Sequence, residues 1–325
     1  MIECVPNFSE GRRADVVSAI RRAAEETRGV TVLDAQSDPN HNRMVLTIVG
    51  TPEPVKEAAL SASARAIELI DLRKHAGEHP RMGVVDVVPF IPLAGSMMED
   101  CIVLAKEFAE EFAKRFSIPV YLYEHAASRD ARKNLANVRE GQFEGLRNVI
   151  GVESSKDPDY GPKKIHPTAG ATAVGARQIL IAYNVDLNSQ DLSIAKKIAK
   201  RIRERDGGLP AVKALGFELK DRKLIQVSMN LTDYSKTSLH TVFYTISNYA
   251  EEFGVSVADS EIVGLVPQNA INQAATHSLS LRNFTDDQII ENRIVSLIAE
   301  NSVRGNFVTK SLYDFSASIA SKDPV

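Results

Sequence analysis

Gln178-Ile179-Leu180-Ile181-Ala182-Tyr183-Asn184-Val185 decides the fold. The run is almost continuously apolar, the pattern of a strand covered on both faces, and it opens a succession of elements that the chain has already gone through once. Downstream, Ile194, Ala195, Ile198, Ala199 and Ile202 recur at the spacing of one helical face. Gly207-Gly208-Leu209-Pro210 ends that helix. Residues 212–217 and 224–230 read as strands joined by the charged turn Lys220-Asp221-Arg222-Lys223, residues 239–249 as a helix and 255–262 as a last strand.

Upstream the same order is present. Residues 2–5 form a short strand ending at Pro6, and Val16, Val17, Ile20, Ala23 and Ala24 line a helix. Residues 30–33 and 44–49 are strands. Pro52 and Pro54 fit a helix start, and Val55, Ala59, Ala66, Ile67 and Ile70 give that helix its stripe. Residues 84–88 are a strand, 102–112 a helix and 120–123 another strand. Each half therefore contains β-α-β-β-α-β, the split βαβ or ferredoxin-like motif, which packs helices on one sheet face and leaves the other open. The expectation is an α+β chain of two ferredoxin-like subdomains, residues 1–177 and 178–325, with sheets facing each other across a cleft. Residues 157–177 would be connection and cleft wall, and 289–297 and 302–320 peripheral helices or turns.

Composition narrows the function. With 325 residues, 44% hydrophobic and 25% charged, the chain has the make-up of an ordinary globular protein with room for a sizeable core. A formal net charge of −3 supplies no global field for nucleic acid, so any anion site is local. Two cysteines, Cys4 and Cys101, are no disulfide framework. The start of the chain lacks a basic region followed by an apolar one, and no run of about 18 apolar residues occurs. A cytoplasmic protein with small-molecule substrates, without membrane or nucleic-acid partners, is expected.

The densest cluster of chemistry is His75-Ala76-Gly77-Glu78-His79-Pro80-Arg81-Met82-Gly83. Imidazole titrates nearest neutrality, so this stretch suggests proton transfer, with Glu78 and Arg81 orienting an acidic substrate. The His-x-x-x-His spacing would suit a metal only on a helix. Gly77 lies between the histidines and Pro80 follows them, which disfavours a helix, so no metal is expected and His79 is the better-held acid–base candidate. Asn7-Phe8-Ser9-Glu10-Gly11 ends the first strand, where ligands gather in α/β architectures; helix capping by Ser9 or Asn7 is the plainer reading. In Asp38-Pro39-Asn40-His41-Asn42-Arg43, Asn42 and Arg43 could bond a planar polar ring or a carboxylate, while His41 reads as surface. Between Gly161 and Arg177, the glycines 161, 170 and 175 allow close backbone approach, and Lys163, Lys164 or Arg177 could meet carboxylates. The P-loop and dinucleotide fingerprints are both missing there.

Five of these segments, in order, resemble the formiminotransferase domain family: Glu3-Cys4-Val5-Pro6-Asn7-Phe8-Ser9-Glu10-Gly11, Gly77-Glu78-His79-Pro80-Arg81-Met82-Gly83, Val120-Tyr121-Leu122-Tyr123, Gly170-Ala171-Thr172-Ala173 with Gly175-Ala176-Arg177, and Val263-Gly264-Leu265-Val266-Pro267. The resemblance implies transfer of a formimino group from N-formimino-L-glutamate to N5 of tetrahydrofolate in histidine degradation, with no metal required. His79 matches the family's catalytic histidine. The family's folate-contacting stretches fall on Gly161, Pro162, Lys163, Lys164, Ile165, His166, Pro167, Thr168, Ala169 and Gly170, and on the stretch holding Gly208, Lys213, Gly216 and Phe217. Asn7, Asn42, Arg43, Glu78, Arg81 and Arg177 are the substrate-positioning candidates. The family is also similar in enclosing a ligand tunnel between two subdomains and in forming homodimers or higher oligomers. Its cyclodeaminase half is not matched, which assigns the following ring closure to another protein. Gln36 departs from the acidic residue of animal members, leaving Asp34 and Asp38 without assigned roles, and His166 is given no catalytic part. Two other readings stay open: formyl exchange between 5-formyltetrahydrofolate and glutamate, and folate binding without turnover.

Overall fold

The computed structural model describes residues 1–77 and 79–303; Glu78 and residues 304–325 lie outside them, and with them most of the expected peripheral stretch 302–320. The first strand is broken into β1 (Ile2–Cys4) and β2 (Asn7–Phe8) because Pro6 has no N–H for the ladder. There follow α1 (Ala14–Glu25), β3 (Val30–Asp38), β4 (Arg43–Gly50), α2 (Pro52–Leu69), β5 (Val85–Pro92), α3 (Met98–Phe116), β6 (Val120–Glu124), the short helices α4 (Leu135–Val138) and α5 (Gln142–Val149), and β7 (Thr172–Ala176). The sheet order is β3-β4-β1/β2-β5-β7-β6. Its first four positions are antiparallel and have the ferredoxin-like order. β7 and β6 extend it in parallel, aligning Val87, Ala173 and Tyr121 across three strands.

β7 corrects one expectation. Residues 157–177 are not connection and cleft wall throughout, since Thr172–Ala176 is buried at all five positions inside the sheet. Its small side chains look like linker in sequence. They are small because α3 packs directly on β7, as it does on β5 and β6, and in that core Phe108 meets Phe90 edge-to-face at 5.6 Å and stacks on Phe112 at 5.5 Å between ring centroids.

The second sheet is built from β8 (Ile181–Leu187), α6 (Leu192–Ile202), β9 (Val212–Leu219), β10 (Leu224–Leu231), α7 (Leu239–Glu252) and β11 (Val257–Val263). Its order, β11-β8-β10-β9, is antiparallel throughout and again ferredoxin-like. The fold is α+β with two sheets, both within one compact unit, Met1–Thr237 with Thr241–Val266. Residues Ser238–His240 and the chain from Pro267, which carries α8 (Gln268–Ser278) and α9 (Ile290–Val303), belong to a second unit.

The second sheet has unlike faces. On β9, Gly216 meets α6 so closely that a Cβ would lie 2.6 Å from the Lys196 nitrogen, so Val212, Ala214 and Gly216 face the helix. By strand alternation Lys213, Leu215 and Phe217 face the other way. Cross-strand register continues that face as Leu215-Ser228-Asn184-Glu261 and Phe217-Gln226-Asp186-Asp259. β8 was expected to be apolar on both sides. Ile181, Tyr183, Val185 and Leu187 make one apolar side; on the opposite side Ala182 is followed by the buried polar pair Asn184 and Asp186.

Candidate functional site

The end of the first sheet where β2 and β3 finish and β4 and β5 begin gathers the side chains of interest. Asp86 anchors it, with no exposed surface. Its carboxylate accepts from Met82 N at 2.8 Å, from Arg43 Nη1 at 2.8 Å and from Arg139 Nη2. Burial alone would raise its pKa, but Arg139 and Arg43 hold it down to about 2. Desolvation lowers the Arg43 guanidinium to about 10 against the opposing pull of Asp86. Arg43 Nε also donates to Asn7 Oδ1 at 3.0 Å, and Asn7 Nδ2 to Val5 O at 2.7 Å.

His79 lies beside this cluster. Its Nδ1 is 2.8 Å from Pro80 O. A carbonyl can only accept, so Nδ1 carries the hydrogen and Nε2 keeps its lone pair. Desolvation, reinforced by Arg43 and Arg139, pushes the pKa well below 6.5. His79 is therefore a neutral imidazole with one basic nitrogen to offer. His75 differs, because both of its nitrogens are used: Nε2 donates to Asn42 O at 2.9 Å and Nδ1 accepts from Arg81 Nε at 3.2 Å. It is a strut between the two loops.

Those loops are locked together. Asn42, at φ 49, accepts from Gly11 N at 2.9 Å and donates to Ala76 O at 3.0 Å. At Gly77 a Cβ would stand 2.4 Å from His41 O, so only glycine allows the approach. The closure brings His41 edge-to-face onto His79, with ring centroids 6.1 Å apart, and onto Phe217 of β9 at 5.2 Å. Asp38 Oδ1 lies 3.2 Å from His41 Nδ1, and that bond holds the Asp38 carboxyl below its usual range.

Several sequence candidates are thus committed to protein partners. Asn7, Asn42 and Arg43 shape the site from behind, and Arg81 forms a two-pronged pair with Glu144 at 2.9 and 2.7 Å. Glu78 lies outside the described residues. Neither Ser9 nor Asn7 caps α1: Ser9 Oγ donates to Gly83 O at 2.7 Å, and Glu10 Oε1 takes the Arg12 and Arg13 nitrogens at 2.9 Å each.

The stretch Gly161–Gly170 is split between two places. Thr168 O accepts from Leu72 N at 2.8 Å and Gly170 bridges Gly83, so this end, with Ala169 and Pro167, adjoins the His79 loop. Gly161, by contrast, packs against Ala113 and Ile118 at the end of α3. Pro162 and Lys164 are exposed, Lys163 pairs with Asp157 at 2.7 Å, and Ile165 is buried. His166 Nδ1 accepts from Ala169 N at 3.0 Å, closing a local turn. In the other stretch Gly208 and Gly216 are occupied by packing against the backbone of α6, while Lys213 pairs with Glu124 at 3.1 Å and Phe217 reaches His41. Between those two cross-sheet contacts lies Leu215, 44% exposed. Lys213 and Phe217 are roughly 13 Å apart along an extended strand. Beyond Lys213 a cavity of about 240 Å³ is lined by Arg177, Glu124, His125, Thr232, Asp233 and Lys236, among others. Of the groups on this sheet face, sequence reasoning missed Asn184, Asp186, Gln226 and Glu261. A period of two within residues 181–187 would have found the first two.

Comparison with known proteins agrees with this architecture. Residues 1–177 match the model of the formiminotransferase domain, N-terminal subdomain, and residues 182–306 that of the formiminotransferase domain. A glutamate formimidoyltransferase of Streptococcus pyogenes serotype M1 is 45% identical over 296 residues, 91% of this chain and 99% of that protein. One from Thermoplasma acidophilum is also 45% identical, over 90% and 97% of the two chains. The formimidoyltransferase-cyclodeaminase of Rattus norvegicus is 44% identical over 85% of this chain and 52% of its own length. With both halves matched in order by the family models, the chain belongs to the formiminotransferase domain family.

Proposed function

We infer that this chain is a glutamate formimidoyltransferase, moving the formimino group of N-formimino-L-glutamate to N5 of tetrahydrofolate. The observation that carries the reading is His79: neutral, with Nδ1 tied to Pro80 O and Nε2 left basic, beside a sheet face of unusual polarity. Relatives alike over almost their whole length bear that name.

The residues suit a folate. A pterin ring edge is a row of N–H donors and one carbonyl, and it needs matching side chains. Asn184, Ser228 and Glu261 stand in one cross-strand row, and Gln226 Oε1 is a buried acceptor without a partner among the described residues. Glu261 has its carboxyl pKa raised, first by desolvation and then by Asp186 and Asp38, which suits a carboxyl awaiting a donor. Lys213, Arg177 and Lys236 line the path beyond Leu215 and would meet carboxylates of either substrate. On this reading the ligand path runs along β9 between subdomains 1–177 and 178–325, and the chain works in the cytoplasm.

In the mechanism His79 Nε2 accepts the proton that N5 loses as the new N5–carbon bond forms. Holding that base neutral and oriented is worth roughly 10²- to 10⁴-fold in rate. The Asp86–Arg43–Arg139 cluster fixes the loop, while desolvation, reinforced by the Arg43 and Arg139 charges against the opposing pull of Asp86, keeps the imidazole unprotonated. Replacing His79 by alanine should abolish turnover of N-formimino-L-glutamate with tetrahydrofolate while folate affinity, followed by calorimetry, persists. Near-normal turnover in that variant refutes the assignment, and assaying the wild type with N-formyl-L-glutamate alongside the formimino donor tests the one-carbon unit.

A further inference from the structure

The transfer needs two proton movements, one off N5 and one onto the glutamate nitrogen that leaves. His79 Nε2, neutral and free of a backbone partner, takes the first; the second can come back from the same ring or from another acid held within the site. A second imidazole stands beside it. His41 has only 11% of its side chain exposed, so it is not the surface residue its turn suggested. Phe217 holds one flank of the ring at 5.2 Å and His79 meets another at 6.1 Å. Asp38 Oδ1 accepts from His41 N at 2.7 Å and lies 3.2 Å from Nδ1. One carboxylate oxygen thus fixes both backbone and ring, and because it binds Nδ1–H, Nε2 is the nitrogen left for proton transfer.

We propose that His41 is a second proton-transfer residue of this site, the acid that protonates the departing glutamate nitrogen, oriented by Asp38. The proposal rests on the reading of His79 as base. The N5–carbon bond forms while the N5 proton passes to His79 Nε2, then the carbon–nitrogen bond to glutamate breaks while the His41 imidazolium delivers its Nε2 proton to that nitrogen. His79 ends protonated and His41 neutral, and exchange with water resets both. The titratable groups facing His41 are Asp38 on its own turn, His79 from the loop before β5, and Glu261 from β11, which senses both His41 and Asp38. Phe217 faces it from β9.

His41→Phe keeps an aromatic ring between His79 and Phe217 and removes the proton. The expected result is a fall in kcat of about 10²-fold or more with unchanged affinity for tetrahydrofolate, and loss of the alkaline limb of the pH–rate profile while the acid limb stays. His41→Gln, which does not depend on packing a larger ring, should behave alike, and Asp38→Asn should give a smaller loss of the same kind. Wild-type turnover in either His41 variant overturns the proposal. So does a loss by one constant factor at every pH with both limbs kept, the signature of packing alone. An active His79→Ala would instead remove the reading of the site itself, whereas inactive His79→Ala with unaffected His41 variants removes only the role of His41.

Discussion

Replacing Asp86 by asparagine is the most informative single perturbation of this molecule. The side chain has no exposure, and the side chains of its partners Arg43 and Arg139 are only 10% and 15% exposed, so the variant leaves two guanidiniums buried together with no counter-charge. One measure of the loss comes from the carboxyl alone: the gap between 3.8 and about 2 is worth roughly 2 kcal/mol. That counts only the difference between charged and neutral acid. Orphaning a buried ionic partner costs more, about 3–5 kcal/mol, and this larger figure applies because two cations are stranded. At about 2 °C per kcal/mol for a chain of this size, the thermal midpoint should fall by roughly 6–10 °C at neutral pH. The pH dependence follows from the sign of the shift. A carboxyl with a lowered folded pKa stabilises above its unfolded value of 3.8 and loses that contribution as pH falls toward 2, so the gap between wild type and variant should narrow over that window. The measurement is paired thermal melts of wild type and Asp86→Asn from pH 3 to pH 7. A midpoint within about 2 °C of wild type at pH 7, or a gap that does not shrink in acid, would refute the reasoning.

Two further outcomes are expected. With His79 as the base we propose, which must be neutral to act, and with its pKa lowered first by desolvation and then by Arg43 and Arg139, kcat/KM should stay high below pH 6.5 and decline only well into the acid range; His75→Gln should leave that limb in place, since both nitrogens of His75 are already bonded. Gly216→Ala should lower stability by about 1–3 kcal/mol, read as a shift in denaturation midpoint, because its Cβ would meet α6 backbone at 2.6 and 2.7 Å, and a midpoint equal to wild type would show that α6 can withdraw freely.

The duplicated element order was legible because it rests on long, periodic segments. Proline at the start of α2 and the apolar stripe of α6 leave little choice of structure. β7 was hidden for the opposite reason: Thr172-Ala173-Val174-Gly175-Ala176 is short and built of small residues, and local pattern cannot separate a tightly packed central strand from a flexible connection. In the site, the loop 75–83 announced itself by composition. Which of its histidines is free and which is a strut did not, since that follows from Asn42 O and Arg81 reaching His75 while Pro80 O reaches His79. His41 was misread because its burial comes from Phe217, 176 positions later in the chain, a contact no local pattern encodes. Asn42 and Arg43 were chosen for chemistry that the fold spends on itself, on Gly11 N, Ala76 O, Asn7 and Asp86.

The polar face of the second sheet is the part that stability does not account for. Asn184, Asp186 and Gln226 are each 6% exposed or less, and burying such groups is costly unless every donor and acceptor is met. Asp186 is partly met, by Gln226 Nε2 at 2.9 Å and by Arg222, yet desolvation still raises its pKa, and Gln226 Oε1 has no partner among the described residues. A sheet serving only as scaffold would close this face with valines and leucines, as it does on the side of α6. Retaining polar groups there, within reach of the ring that touches His41, makes sense for a surface that a hydrogen-bonding planar substrate completes. Under the proposed function the two sheets would divide the work: the first would supply the proton chemistry through its loops, and the second the hydrogen bonds that hold a substrate against it.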